Sequence, residues 1–126
     1  RLDLSQNDVD DMGGKTLLDA VLCCEKVECL ELCENDLGDQ TASELAHRLR
    51  RNGNSKLSRV NLCANRITSK GADALAEMLA AWTEFGLPTT LKSLNLENNC
   101  LDQAAKSRLH EVQGSVVVST RNFSRQ

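Results

Sequence analysis

One phrase of four or five residues returns four times along this chain, and it limits the possible folds more than any other feature. Leu91, Leu94, Leu96, Asn99 and Leu101 share their spacing with Leu57, Val60, Leu62, Asn65 and Ile67, and with Val27, Leu30, Leu32, Asn35 and Leu37. Leu2, Leu4, Asn7 and Val9 form a copy without its first residue. The asparagines lie 28, 30 and 34 residues apart. A period of that size signals a stack of strand-plus-helix units, each covering its apolar face only against its neighbours. Three or more units are needed for a stable stack, and these 126 residues hold four.

The repeats divide the chain at about 1–26, 27–56, 57–90 and 91–114. Alternating apolar residues predict strands at 1–5, 29–33, 59–63 and 93–97, and helical spacing predicts helices at 12–22, 40–50, 69–81 and 103–112. Ser69 is the expected cap of the third helix, followed by the buried stripe Ala72, Leu75, Ala76 and Leu79. Asn52-Gly53-Asn54-Ser55 supplies residues that tolerate the left-handed turn after a helix. The β-branched run at 115–119 reads as a closing strand, and 120–126 as a frayed tail. Trp82 and Phe85 fall in the longest connection, 82–90, where they are expected to fold back over the rim of the core.

Equivalent strands side by side form one parallel sheet with alternate residues on opposite faces. If Leu30, Leu32 and their equivalents point inward, the residues between them point outward. The candidate partner-binding face is therefore Asp3 and Ser5 on the first strand, Cys29, Glu31 and Cys33 on the second, Arg59, Asn61 and Cys63 on the third, and Ser93, Asn95 and Glu97 on the fourth. Helices are bulkier than strands, so the strand face is concave. Asn7, Asn35, Asn65 and Asn99 sit where the chain leaves the sheet, and an amide there can satisfy peptide groups from one repeat to the next. Their expected role is structural.

Leu91-Lys92-Ser93-Leu94-Asn95-Leu96-Glu97-Asn98-Asn99-Cys100-Leu101 and the helical half Ile67-Thr68-Ser69-Lys70-Gly71-Ala72-Asp73-Ala74-Leu75-Ala76-Glu77-Met78-Leu79 resemble the ribonuclease-inhibitor-like class of leucine-rich repeats. That class includes NOD-like receptors, Ran GTPase-activating proteins and tropomodulin. The resemblance implies an α/β solenoid, a short right-handed arc with the parallel sheet on the concave face and helices on the convex face. It also implies a non-catalytic module that binds a protein partner, with GTPase activation of the Ran type, an actin cap or a segment of an innate-immune receptor as the alternatives. Thr41 departs from the pattern, standing where a Gly is usual. No cap precedes the first strand, which suggests self-association through that edge, and the absence of an initial Met suggests a piece of a longer polypeptide.

Composition narrows the chemistry. Two Phe, one Trp and no Tyr leave an aliphatic core. No apolar run approaches the ~18 residues of a membrane span, and no zinc spacing, phosphate-binding Gly loop or catalytic triad is present, so neither cofactor nor enzyme activity is expected. Asp8, Asp10 and Asp11 only partly resemble calcium ligands. The six cysteines include Cys33 and Cys63 at one repeat position, and they read as reduced thiols, which favours cytoplasm or nucleus. Neighbouring parallel strands would bring that pair within disulfide reach, as a redox pair or half a zinc site. The sequon Asn122-Phe123-Ser124 is a weak counter-signal for secretion. The net charge of −3 divides into −9 over residues 1–44, +7 over 45–72 and −1 over 73–126. The basic band of Arg48, Arg50, Arg51, Lys56, Arg59, Arg66 and Lys70 suits an acidic partner or, more simply, a solvated surface; nucleic acid and membrane are not expected partners.

Overall fold

Short β-branched and Leu-rich segments alternate with Ala- and Leu-rich helices, and each pair forms one layer of the stack. The computed structural model describes residues 1–24, 26–51, 56–87 and 89–123. The order is β1 (Leu2–Asp3), α1 (Asp11–Cys23), β2 (Cys29–Glu31), α2 (Asp39–Arg51), β3 (Arg59–Asn61), α3 (Ser69–Phe85), β4 (Ser93–Asn95), α4 (Gln103–Val112) and β5 (Val117–Ser119). All five strands pair in parallel in sequence order, and their register places Leu30 beside Val60, Val60 beside Leu94, and Leu94 beside Val118. Adjacent helices pack on one another in the same order. Strands stack about 4.8 Å apart while helices need about 8–10 Å, which bends the stack toward its strand layer.

The core lies between the layers. Leu30, Leu32, Leu37, Val60, Leu62, Ile67, Leu94 and Leu96 from the phrase meet Leu18, Leu45, Leu75, Leu79 and Leu109 from the helices, all buried. Removing one such side chain to Ala costs about 2–5 kcal/mol. Val9 and Leu17 are partly buried against this cluster.

Each strand is assigned two to three residues shorter than the alternation suggests, yet the ladder continues past it. The N–H groups of Leu4, Leu32, Leu62 and Leu96 donate to carbonyls one repeat on. So do those of Gln6, Glu34, Ala64 and Asn98, the residues just before the ladder asparagines. These four take a left-handed backbone, with φ of 61°, 57°, 54° and 55° respectively. Their side chains share no type, so the turn left no mark in the sequence.

Both ends of α3 and the tail differ from the expected pattern. Thr68, extended at φ −103° and ψ −174°, caps α3, and its hydroxyl accepts the Lys70 N–H. Ser69 is instead the first helical residue, and its hydroxyl accepts the Asp102 N–H of the next repeat. Further along, α3 runs one turn past the expected end at 81, because nothing breaks it before Gly86, whose left-handed φ of 59° closes it. Trp82 is buried as expected, but Phe85 on the added turn is 67% exposed. Finally, the tail stays attached beyond 120: Thr120 is buried, the Arg121 carbonyl accepts from Asn98 N–H, and the Phe123 N–H donates to Asn98 Oδ1. The expected turn at 52–55, Ser124 of the sequon and the rest of the tail, 124–126, lie outside the described residues.

Candidate protein-interaction surface

Parallel register converts repeat equivalence into adjacency, so the outward side chains line up in three rows across the sheet. Arg59 stands between Cys29 and Ser93, with Val117 beyond. The central row is Asp3, Glu31, Asn61, Asn95 and Ser119. In the third row, the Cys33 N–H donates to Ser5 Oγ at 3.0 Å, and ladder bonds carry the row through Cys63 and Glu97 to Arg121. All eleven candidate residues are partly or fully exposed, while the strand residues between them are buried, apart from the partly buried Leu2 and Leu4 of the first repeat.

Polar contacts organise this face. Asn61 Nδ2 donates to Glu31 Oε2 at 2.8 Å, which orients the amide and leaves the other Glu31 oxygen toward Arg1 at 4.0 Å. The Ser5 N–H, its nearest donor, holds the Asp3 carboxyl below its ordinary pKa, with Arg1 adding to the effect. Glu97 Oε2 is buried without a hydrogen bond among the described residues, and Arg121 Nε at 3.5 Å serves it only as an ion-pair partner. Cys33 and Cys63 point their sulfurs at each other, Sγ to Sγ 3.1 Å. Burial first, then the neighbouring thiol, pushes Cys33 up to about 12, so it rests protonated.

Beneath the rows runs the asparagine ladder. Asn65 Nδ2 donates to the carbonyls of Leu32 in the previous repeat and of Leu62 and Cys63 in its own, while Oδ1 accepts from Leu37 N–H. Asn35 and Asn99 make the corresponding bonds to Leu4 and Leu62. Asn7 differs: it is exposed, and among the described residues its side-chain amide donates only to Ser5 of its own repeat. A second ladder, built from aspartates, joins the helix starts. Asp11 Oδ1 accepts from Gly38 N–H at 2.7 Å and from the Thr41 N–H and hydroxyl, and Asp39 accepts from the Thr68 N–H and hydroxyl and from Gly71 N–H. Partial burial pushes the Asp11 carboxyl up, but those three donors together outweigh it and hold the group below its ordinary pKa. Both acids stand four residues after a ladder asparagine, a recurrence that was present in the sequence.

The same clamp disposes of a calcium reading at this turn, because Asp10 caps α1 by accepting from Gly13 N–H while Asp11 is committed to the next repeat. Among the described residues, no group of three His, Cys, Asp or Glu is arranged to hold a metal ion. The basic band does not assemble into one patch: Arg59 lies on the strand face, and Arg48 sits in the helix layer, paired with Glu44 at 2.8 Å and with Asp19. His47 and His110 lie on α2 and α4 and do not join the strand-face rows. Ser119 was legible from the closing strand, whereas Arg121 was not, since it stands in the segment expected to fray.

The Leucine Rich repeat family matches residues 1–18, 53–76 and 88–103, which hold three of the four phrases. The fold is that of a leucine-rich repeat solenoid. Its second repeat, outside those matches, has the same strand, asparagine and helix in the same places. Protein NLRC5 of Homo sapiens is 40% identical over 80 residues, or 64% of this chain. RAN GTPase-activating protein 2 of Arabidopsis thaliana is 26% identical over 111 residues, or 88% of this chain. The chain spans 4% and 19% of the length of these two relatives. The solved structure of Leiomodin-1 Actin-Binding Site 2 superposes on 99% of this leucine-rich repeat chain and 70% of its own, with a TM-score of 0.78 at 17% identity, a likeness of fold. No helix among the described residues is long and apolar enough to cross a membrane.

Proposed function

We propose that these leucine-rich repeats form a non-catalytic module that binds a protein partner through the strand face. The observation that carries the reading is the central row of Asp3, Glu31, Asn61, Asn95 and Ser119. Its acids and amides stand one strand apart, are held in place by Glu31–Asn61 and Arg1 contacts, and are not consumed by the core. Together with Glu97 they present acceptors, which suits a partner offering cationic side chains. Reversing Glu31→Lys with Glu97→Lys is expected to abolish capture of a species that both the unaltered chain and a helix-face control, Lys15→Glu with Glu77→Lys, retain. Retention by the strand-face variant would move the interface to the helix side or to the Phe85 end.

A second reading, promotion of GTP hydrolysis, is favoured by the similarity to RAN GTPase-activating protein 2 over most of this chain. Single-turnover hydrolysis by GTP-loaded small GTPases separates it from binding alone. Complex formation without acceleration would remove it.

A further inference from the structure

We propose that Cys33 and Cys63 form a modification site on the strand face, a dithiol that a low-molecular-weight disulfide converts into a covalent link between repeats two and three. The pair occupies directly opposed positions. Register places Glu31 beside Asn61, and the ladder bonds Leu32 N–H to Asn61 O, at 2.8 Å, and Glu34 N–H to Cys63 O, at 3.0 Å, carry it unchanged past the two cysteines. Parallel neighbours lie about 4.8 Å apart, inside the window of about 4.4–6.8 Å between α-carbons that a disulfide requires. The sulfurs are already 3.1 Å apart, so forming the bond asks for an approach of about 1 Å. Both side chains are partly exposed, so the reagent has access. The other four cysteines make no sulfur–sulfur contact among the described residues.

The chemistry balances with a disulfide of the form RSSR as oxidant. One protein thiol loses its proton to solvent, and its thiolate attacks a reagent sulfur, forming a mixed disulfide and releasing one thiolate RS⁻. The second protein thiol, deprotonated in turn, attacks the protein sulfur of that adduct, forms the Cys33–Cys63 bond and releases the second RS⁻. The protein loses two electrons and two protons, and the reagent becomes two thiols. Proximity makes the second step intramolecular, so the mixed adduct does not accumulate. Because burial keeps Cys33 protonated, the dithiol is stable at rest and the rate of linkage rises with pH.

The test is incubation of the folded chain with oxidised glutathione across a pH series, followed by alkylation and peptide mapping, with adduct on the exposed Cys100 as the measure of active reagent. The expected product joins Cys33 to Cys63, with an intact mass that shows the loss of two hydrogens at that pair. It forms in Cys29→Ser, disappears in Cys33→Ser and in Cys63→Ser, and reverts with a reductant. The linked chain should unfold at a higher temperature, and this gain should be absent from both serine variants. Stable glutathione adducts on Cys33 or Cys63, or a pair still free once Cys100 has reacted, would overturn the proposal.

Discussion

A single asparagine shows how position within the stack sets the worth of a side chain. Asn65 is buried, donates to three carbonyls across two repeats and accepts from Leu37 N–H. Replacing it with Ala strands those groups away from water, and each unsatisfied buried group costs about 1–3 kcal/mol. Asn65→Ala is therefore expected to lower unfolding free energy by about 3 kcal/mol or more, and Asn7→Ala by less than about 1 kcal/mol, since water replaces most of what Asn7 loses. Urea denaturation of both variants checks the contrast. Asp11 adds a pH dependence at the same scale. Its folded pKa lies below the unfolded value, so its contribution is complete above that value and is lost as pH falls through the folded one. Below about pH 4 the unaltered chain should lose stability more steeply than Asp11→Asn, as thermal melts from neutral to acid pH would show.

Between elements, contact depends on matched sizes across each helix pair. Where Gly71 opens α3, Ala42 of the previous repeat packs against it, and an added methyl at Gly71 would come within 2.9 Å of Ala42 Cβ. Thr41 stands at the equivalent place in α2, and its bulk is accommodated because the earlier partner is Gly14, where a methyl would lie 2.5 Å from Thr41 Oγ1 and 2.8 Å from Leu37 Cδ2. A side chain at Gly14 is thus excluded by Leu37 and by the next repeat's helix start, whereas Gly13 faces Val9 and Asp10 of its own repeat. The departure at Thr41 is one half of an exchange. Gly14→Ala is expected to cost about 1–3 kcal/mol, and Gly14→Ala with Thr41→Gly to recover part of it, giving a non-zero coupling in a double-mutant cycle. Additive effects would show that the two sites are independent. At the other layer, the outer edge of β1 pairs with no strand among the described residues, and Leu2 and Leu4 remain partly exposed. An open edge of this kind recruits another strand or exchanges its amides rapidly. The 126-residue chain should therefore show either concentration-dependent sedimentation or fast hydrogen exchange at residues 1–9; a monomer with strongly protected amides there would contradict both.

For the molecule as a whole, stability is a sum of repeat interfaces. The strand face contributes less to it than the core does, so the double reversal of Glu31 and Glu97, which breaks the Asn61 and Arg121 contacts, should lower the melting temperature far less than a core Leu→Ala change while binding falls. The sequence by itself determined the period, the strand and helix of each repeat, the asparagine ladder and which residues share the outer rows. It could do so because, in an in-register parallel stack, equivalent positions become neighbours, and periodicity alone identifies equivalence. The recurrence of Asp11 and Asp39 after their asparagines was equally periodic, although its meaning emerged only with the helix starts they bind. Tertiary structure decided what periodicity does not encode. It dispersed the contiguous basic band between the strand face and the helix layer, because residues adjacent in sequence point to different layers. It buried Trp82 and exposed Phe85, because the helix ran on to Gly86 and turned them to different sides. It also held residues 120–123 against Asn98, where the last turn offers carbonyl and N–H partners that no further repeat occupies in the described chain. The physical reason is that a repeat specifies neighbours along the stack, whereas helix ends, rims and tails settle by local hydrogen bonding and by the space their particular neighbours leave.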